Sequence, residues 1–265
     1  MPMTSGLKNA RVLVTGAGGG GIGTGAARKF LEEGARVVVS DLNAKGLDSV
    51  LEQFKPLGEV HGVVCDLTQR KDMDNLVSET VRILGGIDTF VYVAGSPKPG
   101  IFMEQDYEDW ENGGRLLMVS PAYMARRVAE QMLKSGTKGR LVFTSSFAIR
   151  EPIANIALSN VARVSIYGLV RTLARELAAK GIRVNGILQG YVKTARIDQV
   201  ASDTSKRKGI TIEQAIADIE KEIPMGHMAT TEELARSIIF LGSEMSEYVT
   251  GAMLPVDGGI LRSIG

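Results

Sequence analysis

The residues of this chain with the most chemistry in their spacing are glycines and one acid. Gly16, Gly21 and Gly23 bracket Ile22 in the stretch Thr15–Gly23, and Asp41 follows eighteen residues beyond Gly23. Glycine lets a backbone turn tightly and approach a ligand closely. If a helix starts at the last of these glycines, its unpaired N–H groups and the positive end of its dipole face the same spot, which favours a pyrophosphate. An acid about twenty residues further on hydrogen-bonds the ribose hydroxyls of an adenosine and repels a 2′-phosphate. Together they describe a dinucleotide site. No arginine follows Asp41, which favours NAD over NADP. Two plainer readings stand beside this one. A glycine run can be a simple turn, and Asp41 can cap a helix that begins near Leu42–Lys45.

The elements that must position these residues are legible in the apolar pattern. Short apolar runs predict strands at 11–15, 36–40, 59–65, 88–93, 140–144, 182–188 and 252–256. Helical patterns lie between them, near 22–33, 43–54, 70–84, 104–135, 153–180, 196–222 and 230–242. Parallel strands need long crossovers, so this alternation predicts a single α/β domain over 1–265. It would be a Rossmann-type, doubly wound, seven-stranded parallel sheet with helices on both faces. Ligands of such sheets bind beyond the carboxyl ends of the strands. Two segments follow such ends: 95–112, with Pro97, Pro99 and Gly100, and 189–225, whose polar and amphipathic character fits a mobile substrate lid. Pro121 lies inside a helical pattern and predicts a break or kink in the 113–135 helix near it.

Bulk properties narrow the function classes. A chain of 265 residues, 44% hydrophobic, can bury one substantial core. Its net charge of +1 gives no basis for nucleic acid or an anionic membrane as partner. No apolar run approaches the ~20 residues that span a bilayer, and the start, Met1–Lys8, lacks an apolar signal core. A cytoplasmic protein is expected. Cys65, the single cysteine, cannot form an internal disulfide and reads as a buried or half-buried thiol. His61 and His227 lie far apart with no cysteine cluster, so no metal site is expected.

From Val12 to Gly259 the chain resembles the short-chain dehydrogenase/reductase family. The motifs that carry the resemblance are the Thr15–Gly23 loop, Asp66-Leu67 after the third strand and Ala94-Gly95 after the fourth. Thr144-Ser145-Ser146, Gly181–Asn185, Gly190–Thr194, Val249–Gly251 and Val256–Gly259 follow. The resemblance implies that Asp66 and Leu67 flank the adenine, that Ala94 and Gly95 border the ribose side, and that Val192 and Thr194 meet the nicotinamide carboxamide. It also implies a small-molecule substrate and a homo-oligomer, tetramer or dimer. The glycine loop departs from the family in one respect: four residues rather than three separate Gly16 from Gly21, so the loop must bulge.

The larger departure concerns proton transfer. Family chemistry uses a serine, a tyrosine thirteen residues later and a lysine four after that. Counted from Ser146, those places hold Ser159 and Arg163, and Asn185 lies at the family's usual spacing from the first of them. The preceding helix has Leu117 or Met118 where the family has an asparagine, and Asn-Ala-Gly has become Val93-Ala-Gly95. The resemblance makes Ser146, Ser159 and Arg163 the catalytic candidates, with Arg163 also on the nicotinamide ribose. A phenol has a reference pKa near 10, whereas arginine above 12 stays charged and serine is a weaker acid still. Ser159 and Arg163 can equally be an ordinary helix-surface pair four residues apart, and Ser146 a turn hydroxyl. Tyr167 with Arg171 imitates the missing pair but sits about 12 Å along the helix, which makes it a packing or interface residue. Tyr191, in the loop expected beside the nicotinamide, either meets substrate or is solvated.

Two readings remain at this point. One is an NAD(H)-dependent oxidoreductase on a small hydroxy or carbonyl compound, with an altered proton-transfer site. The other is a non-redox protein of the same fold — metabolite-binding, regulatory or a lyase — that retains nucleotide binding. Fold alone does not choose between them.

Overall fold

Seven short apolar runs pair into one parallel sheet in the computed structural model, which describes residues 5–263. The strands are β1 (Arg11–Val14), β2 (Arg36–Asp41), β3 (Val60–Val64), β4 (Thr89–Tyr92), β5 (Arg140–Ser146), β6 (Arg183–Gln189) and β7 (Met253–Val256). Their order across the sheet is β3-β2-β1-β4-β5-β6-β7. The chain therefore winds one way from β1 to β3 and the other way from β4 to β7. The cleft between the carboxyl ends of β1 and β4 is the switch point where such sheets bind ligands. Central strands such as β4 are buried throughout, as a sheet covered on both faces requires. The edge strands are weaker: β3 is partly exposed and β7 carries Pro255, which the edge tolerates.

Amphipathic helices cover both faces. On one lie α1 (Ile22–Glu32), α2 (Ala44–Phe54) and α10 (Thr231–Leu241), which bury Phe30, Leu31, Val50 and Ile238 against Val12, Val14 and Val37. On the other lie α3 (Arg70–Leu84), α5 (Ser120–Ser135) and α7 (Val164–Leu177), which bury Leu76, Met124, Val128 and Val170 against Phe90 and Phe143. Side chains of this size each contribute about 1.5–3 kcal/mol when fully buried. Phe90, Tyr92 and Phe143 meet at centroid distances of 6.0–6.2 Å beneath the switch point.

Three long helical patterns are subdivided. The 104–135 pattern becomes α4 (Tyr107–Gly114), a π turn (Arg115–Val119) and α5. The break expected near Pro121 does not occur; the helix runs on through Ser120–Tyr123, and the irregularity lies one turn earlier. Proline crowds the carbonyl four residues before it and lacks an N–H. The wider turn, closed by Ser120 N–H on Arg115 C=O, accommodates both facts. The Tyr92 hydroxyl donates to Leu116 C=O at 2.9 Å, while the Ser165 hydroxyl donates chiefly to Ala162 C=O at 2.6 Å, with Leu117 C=O at 3.3 Å a weaker second acceptor. The 153–180 pattern splits at Arg163 into α6 (Ala157–Ala162) and α7. The 196–222 pattern splits at Gly209, whose φ of +66° ends α8 (Ala195–Lys208) before α9 (Ile212–Glu222). The 189–225 segment is thus largely helical. It rests on a small separate core of Phe147, Ile197, Ile223, Met228 and Ile260.

Candidate functional site

The glycine loop is shaped by close backbone approach. The Thr15 hydroxyl donates to Val93 C=O at 2.7 Å and accepts from Val93 N–H at 2.9 Å, locking β1 to the exit of β4. Gly16 turns at φ +64°, and a Cβ there would lie 2.6 Å from Val93 O. The extra residue is absorbed by a second left-handed turn at Gly20 (φ +68°), which brings Gly18 N–H to the Asp41 carboxylate at 2.8 Å. Asp41 also accepts from Asn43 N–H at 2.9 Å, while Asn43, not Asp41, caps α2. Above the loop the space is open: a Cβ at Gly19 or Gly21 would meet nothing within 4 Å. No side chain caps α1, so its first N–H groups are not met by one. This is a cradle that fits a diphosphate.

One cavity of about 620 Å³ runs from this cradle across the carboxyl ends of the strands. Gly16, Gly21, Ile22, Asp41, Asp66 and Leu67 line its β1–β3 half. Gly23 lies at the start of α1, behind this lining. A Cβ on Gly23 would fall 2.3 Å from Gly16 O, so this glycine lets α1 pack against the loop. Asp66 accepts from Thr68 N–H and hydroxyl at 2.8 and 2.7 Å. Cys65 is buried in the same wall, and burial pushes its thiol up to about 12, so it is inert at neutral pH. Ala94 and Gly95 form the floor after β4.

The β5–β6 half holds the catalytic candidates. Ser146, Ser159 and Arg163 all line it. Ser146 Oγ also accepts from Ala148 N–H at 3.1 Å, so it is a turn hydroxyl and a wall residue together. Arg163 Nε donates to Ser159 Oγ at 3.0 Å, and both residues are buried. The helix is interrupted at Arg163, whose carbonyl accepts from the Ser145 hydroxyl at 3.3 Å. Burial lowers the Arg163 guanidinium to about 10, so it remains charged at pH 7. Val192 and Thr194 also line the cavity, Thr194 as the residue that opens α8.

Tyrosines near this half are poor proton carriers. Tyr191 is half-buried; it packs edge-on against Phe147 at 5.4 Å and lines the cavity, with its hydroxyl pushed up to about 12 by burial and by Glu222. Tyr92 is fully buried, and that burial raises its phenol far above the usual value. Tyr167 lies outside the cavity on the surface of α7, and Arg171 donates to Gly251 C=O at 3.1 Å.

Comparison with known proteins fits this geometry. Residues 16–261 match the family described as Enoyl-(Acyl carrier protein) reductase. The human dehydrogenase/reductase SDR family member 4 is 32% identical over 255 residues, 96% of this chain and 88% of that protein. This chain belongs to the short-chain dehydrogenase/reductase family. A 3-oxoacyl-(acyl-carrier-protein) reductase of Thermotoga maritima is 30% identical over 258 residues, 96% of this chain and 99% of that protein. Among solved structures, L-sorbose reductase from Gluconobacter frateurii, complexed with NADPH and L-sorbose, superposes with a TM-score of 0.91 at 27% identity. That match covers 99% of this chain and all of the other. An actinorhodin polyketide ketoreductase variant with NADPH gives 0.92 at 28% identity, over 98% of this chain and all of the other.

In this short-chain dehydrogenase/reductase chain, two cavity residues were not singled out from the sequence. Arg196 lies in the first turn of α8 and is desolvated enough to lower its guanidinium. Gln189 ends β6, and its buried Oε1 has no hydrogen-bond partner among the described residues. A signal for Arg196 existed: a cation in the first turn of a helix opposes the macrodipole. Among the described residues, no helix is long and apolar enough to cross a membrane.

Proposed function

We propose that this chain is an NAD(H)-dependent short-chain oxidoreductase of small hydroxy or carbonyl compounds, with an altered proton-transfer site. In this reading Ser159 and Arg163 stand where the family has tyrosine and lysine. The observation that carries it is the buried Arg163–Ser159 hydrogen bond, 3.0 Å long, inside the cavity beyond the strand ends. When bound, the nicotinamide ring supplies the carbon that gives or takes a hydride.

The chain's own groups do the rest. Backbone N–H groups of Gly16, Gly21 and Ile22 hold the diphosphate. Asp41 takes the adenosine ribose hydroxyls, and Asp66 and Leu67 flank the adenine. Ala94 and Gly95 leave room for the sugar, and Val192 and Thr194 meet the carboxamide. With Nε committed to Ser159, the Arg163 Nη groups face the nicotinamide ribose. Ser146 and Ser159 hold the substrate oxygen. Because Arg163 keeps its charge, it adds positive potential but relays no proton. The proton then comes from Ser159, water or substrate. Losing a tuned acid–base group costs about 10²–10⁴-fold, so turnover is slow rather than absent.

NAD is preferred because Asp41 faces the ribose and Leu42, not a cation, follows it. Self-association into a dimer or tetramer is supported by exposed apolar residues: Met118 and Val119 before α5, and Val161, Val164 and Tyr167 along α6 and α7. The deciding experiment is fluorescence titration with NAD+, NADH and NADPH, followed by a hydride-transfer screen over alcohols and carbonyls. Absence of binding by any of the three defeats the reading. Binding without hydride transfer favours the second reading, a non-redox nucleotide-binding protein. That alternative has its own support: burial raises the hydroxyls of Tyr191 and Tyr92, and Arg163 keeps its charge at pH 7.

A further inference from the structure

The substrate half of the cavity has an uncompensated positive charge. Arg163 and Arg196 both line it, and among the described residues neither has a carboxylate within ion-pair distance. The cavity's two carboxylates, Asp41 and Asp66, lie in the other half and are engaged by Gly18, Asn43 and Thr68. The two guanidiniums repel each other, and each is already desolvated. Holding an unpaired cation out of water costs free energy unless something offsets it. Arg196 is also placed against the α8 dipole, as a structural cation would not be. Around the pair the walls are apolar: Phe147, Ile153, Ile156, Tyr191, Ile197 and Val200.

We propose that this half of the cavity binds a carboxylate-bearing substrate, its anionic group on Arg196 and its short apolar portion against the isoleucines. The proposal rests on the oxidoreductase reading and gives its substrate a class. The buried Gln189 oxygen, which no donor meets, suits a substrate that carries a hydroxyl as well. The same anion chemistry could be supplied by the cofactor's diphosphate, so the test separates the two sources.

Hexanoate and its neutral isostere hexanamide serve as probes, titrated by calorimetry against the protein alone and against the protein saturated with NADH. The expected result is tighter binding of hexanoate by about tenfold or more, as charged hydrogen bonds provide. Arg196→Gln should abolish that preference and Arg196→Lys should retain part of it, while affinity for NADH changes less than twofold. Equal binding of the two probes by the wild type overturns the proposal, whatever the variants do. A preference that survives in Arg196→Gln also overturns it. So does a loss of NADH affinity in that variant, which would put Arg196 on the diphosphate. If neither NADH nor NADPH binds, the oxidoreductase reading fails, and the titration of the protein alone still decides whether the carboxylate site exists.

Discussion

Arg163 reaches back one helical turn and donates Nε to Ser159 Oγ at 3.0 Å, inside the wall of the cavity. A spacing of four residues stacks two side chains on one helix face, so the contact follows from the sequence register. Its consequence is that the serine oxygen accepts a charged hydrogen bond and keeps its own proton free for a ligand oxygen. A serine hydroxyl is too weak an acid to be drawn toward neutrality by this contact, in contrast to a phenol.

Turnover with generic alcohols should therefore be slow in the wild type and rise in the double variant Ser159→Tyr with Arg163→Lys. Steady-state kinetics with NAD+ checks this. Arg163→Gln alone should weaken NAD binding by about tenfold or more, because charged hydrogen bonds are worth about 1.5–3 kcal/mol. Brisk wild-type turnover that survives Ser159→Ala would show that the proton takes another route.

Asp41 sets the second expectation. Its carboxylate is held by Gly18 and Asn43 N–H groups at 2.8 and 2.9 Å, which fixes it at the end of β2 facing the cavity. A fixed carboxylate hydrogen-bonds two ribose hydroxyls and repels a phosphate at the same place. Asp41→Ala should lower affinity for NAD and narrow the gap to NADP, measured by parallel titrations. Equal affinity of the wild type for both cofactors would defeat the assignment.

Two glycines separate folding from binding. A Cβ at Gly23 would meet Gly16 O at 2.3 Å, backbone against backbone, so Gly23→Ala must push α1 off the loop. Overpacking of this kind costs about 1–3 kcal/mol, and the melting temperature should fall by several degrees, at about 2–4 °C per kcal/mol for a chain of this size. A Cβ at Gly95 would meet nothing within 4 Å, and Gly95 lacks a left-handed φ. Gly95→Ala should keep the wild-type melting temperature yet weaken cofactor binding, because the new methyl projects into the cavity. A matched loss of stability in both variants would contradict this division.

The strands, their parallel order and the glycine cradle were legible because each depends on local pattern: apolar runs, glycine, and an acid at the next strand's end. The subdivisions of the long helices were not. The π turn before Pro121 leaves a carbonyl, that of Leu116, which Tyr92 satisfies from β4, and no window of sequence contains that partner. The interruption at Arg163 similarly involves Ser145 on β5, eighteen residues away. That Gly23 also lets α1 pack on the loop shows only in the fold, where a Cβ would meet Gly16 O. A lone glutamine such as Gln189 has no spacing signature, and the misplaced cation Arg196 stands out only once the start of α8 is fixed at Ala195. They gain meaning only once the fold sets Arg196 on the wall of the same cavity as Arg163.

The last expectation concerns acid stability and lies at the opposite ends of the strands. Asp88, just before β4, accepts from Arg11 at the start of β1: from its backbone N–H at 2.8 Å, from Nε at 2.9 Å and from Nη2 at 2.6 Å. Burial alone would raise the Asp88 carboxyl, but the Arg11 side-chain and backbone hydrogen bonds outweigh it and hold the group below its ordinary value. The folded carboxyl thus binds its proton less readily than the unfolded one. The sign follows directly: the stabilisation is complete above the ordinary aspartate range and disappears as pH falls through the lowered folded value. Asp88→Asn should remove about 1–3 kcal/mol at pH 7, since Arg11 loses a charged partner in a part-buried position. As pH falls through the lowered folded value and the wild-type carboxyl takes up its proton, the two proteins should converge in stability. Urea unfolding of both from pH 7 down through the acid range, to where the wild-type carboxyl is protonated, checks this, and a constant difference throughout would show that Asp88 contributes through packing rather than charge.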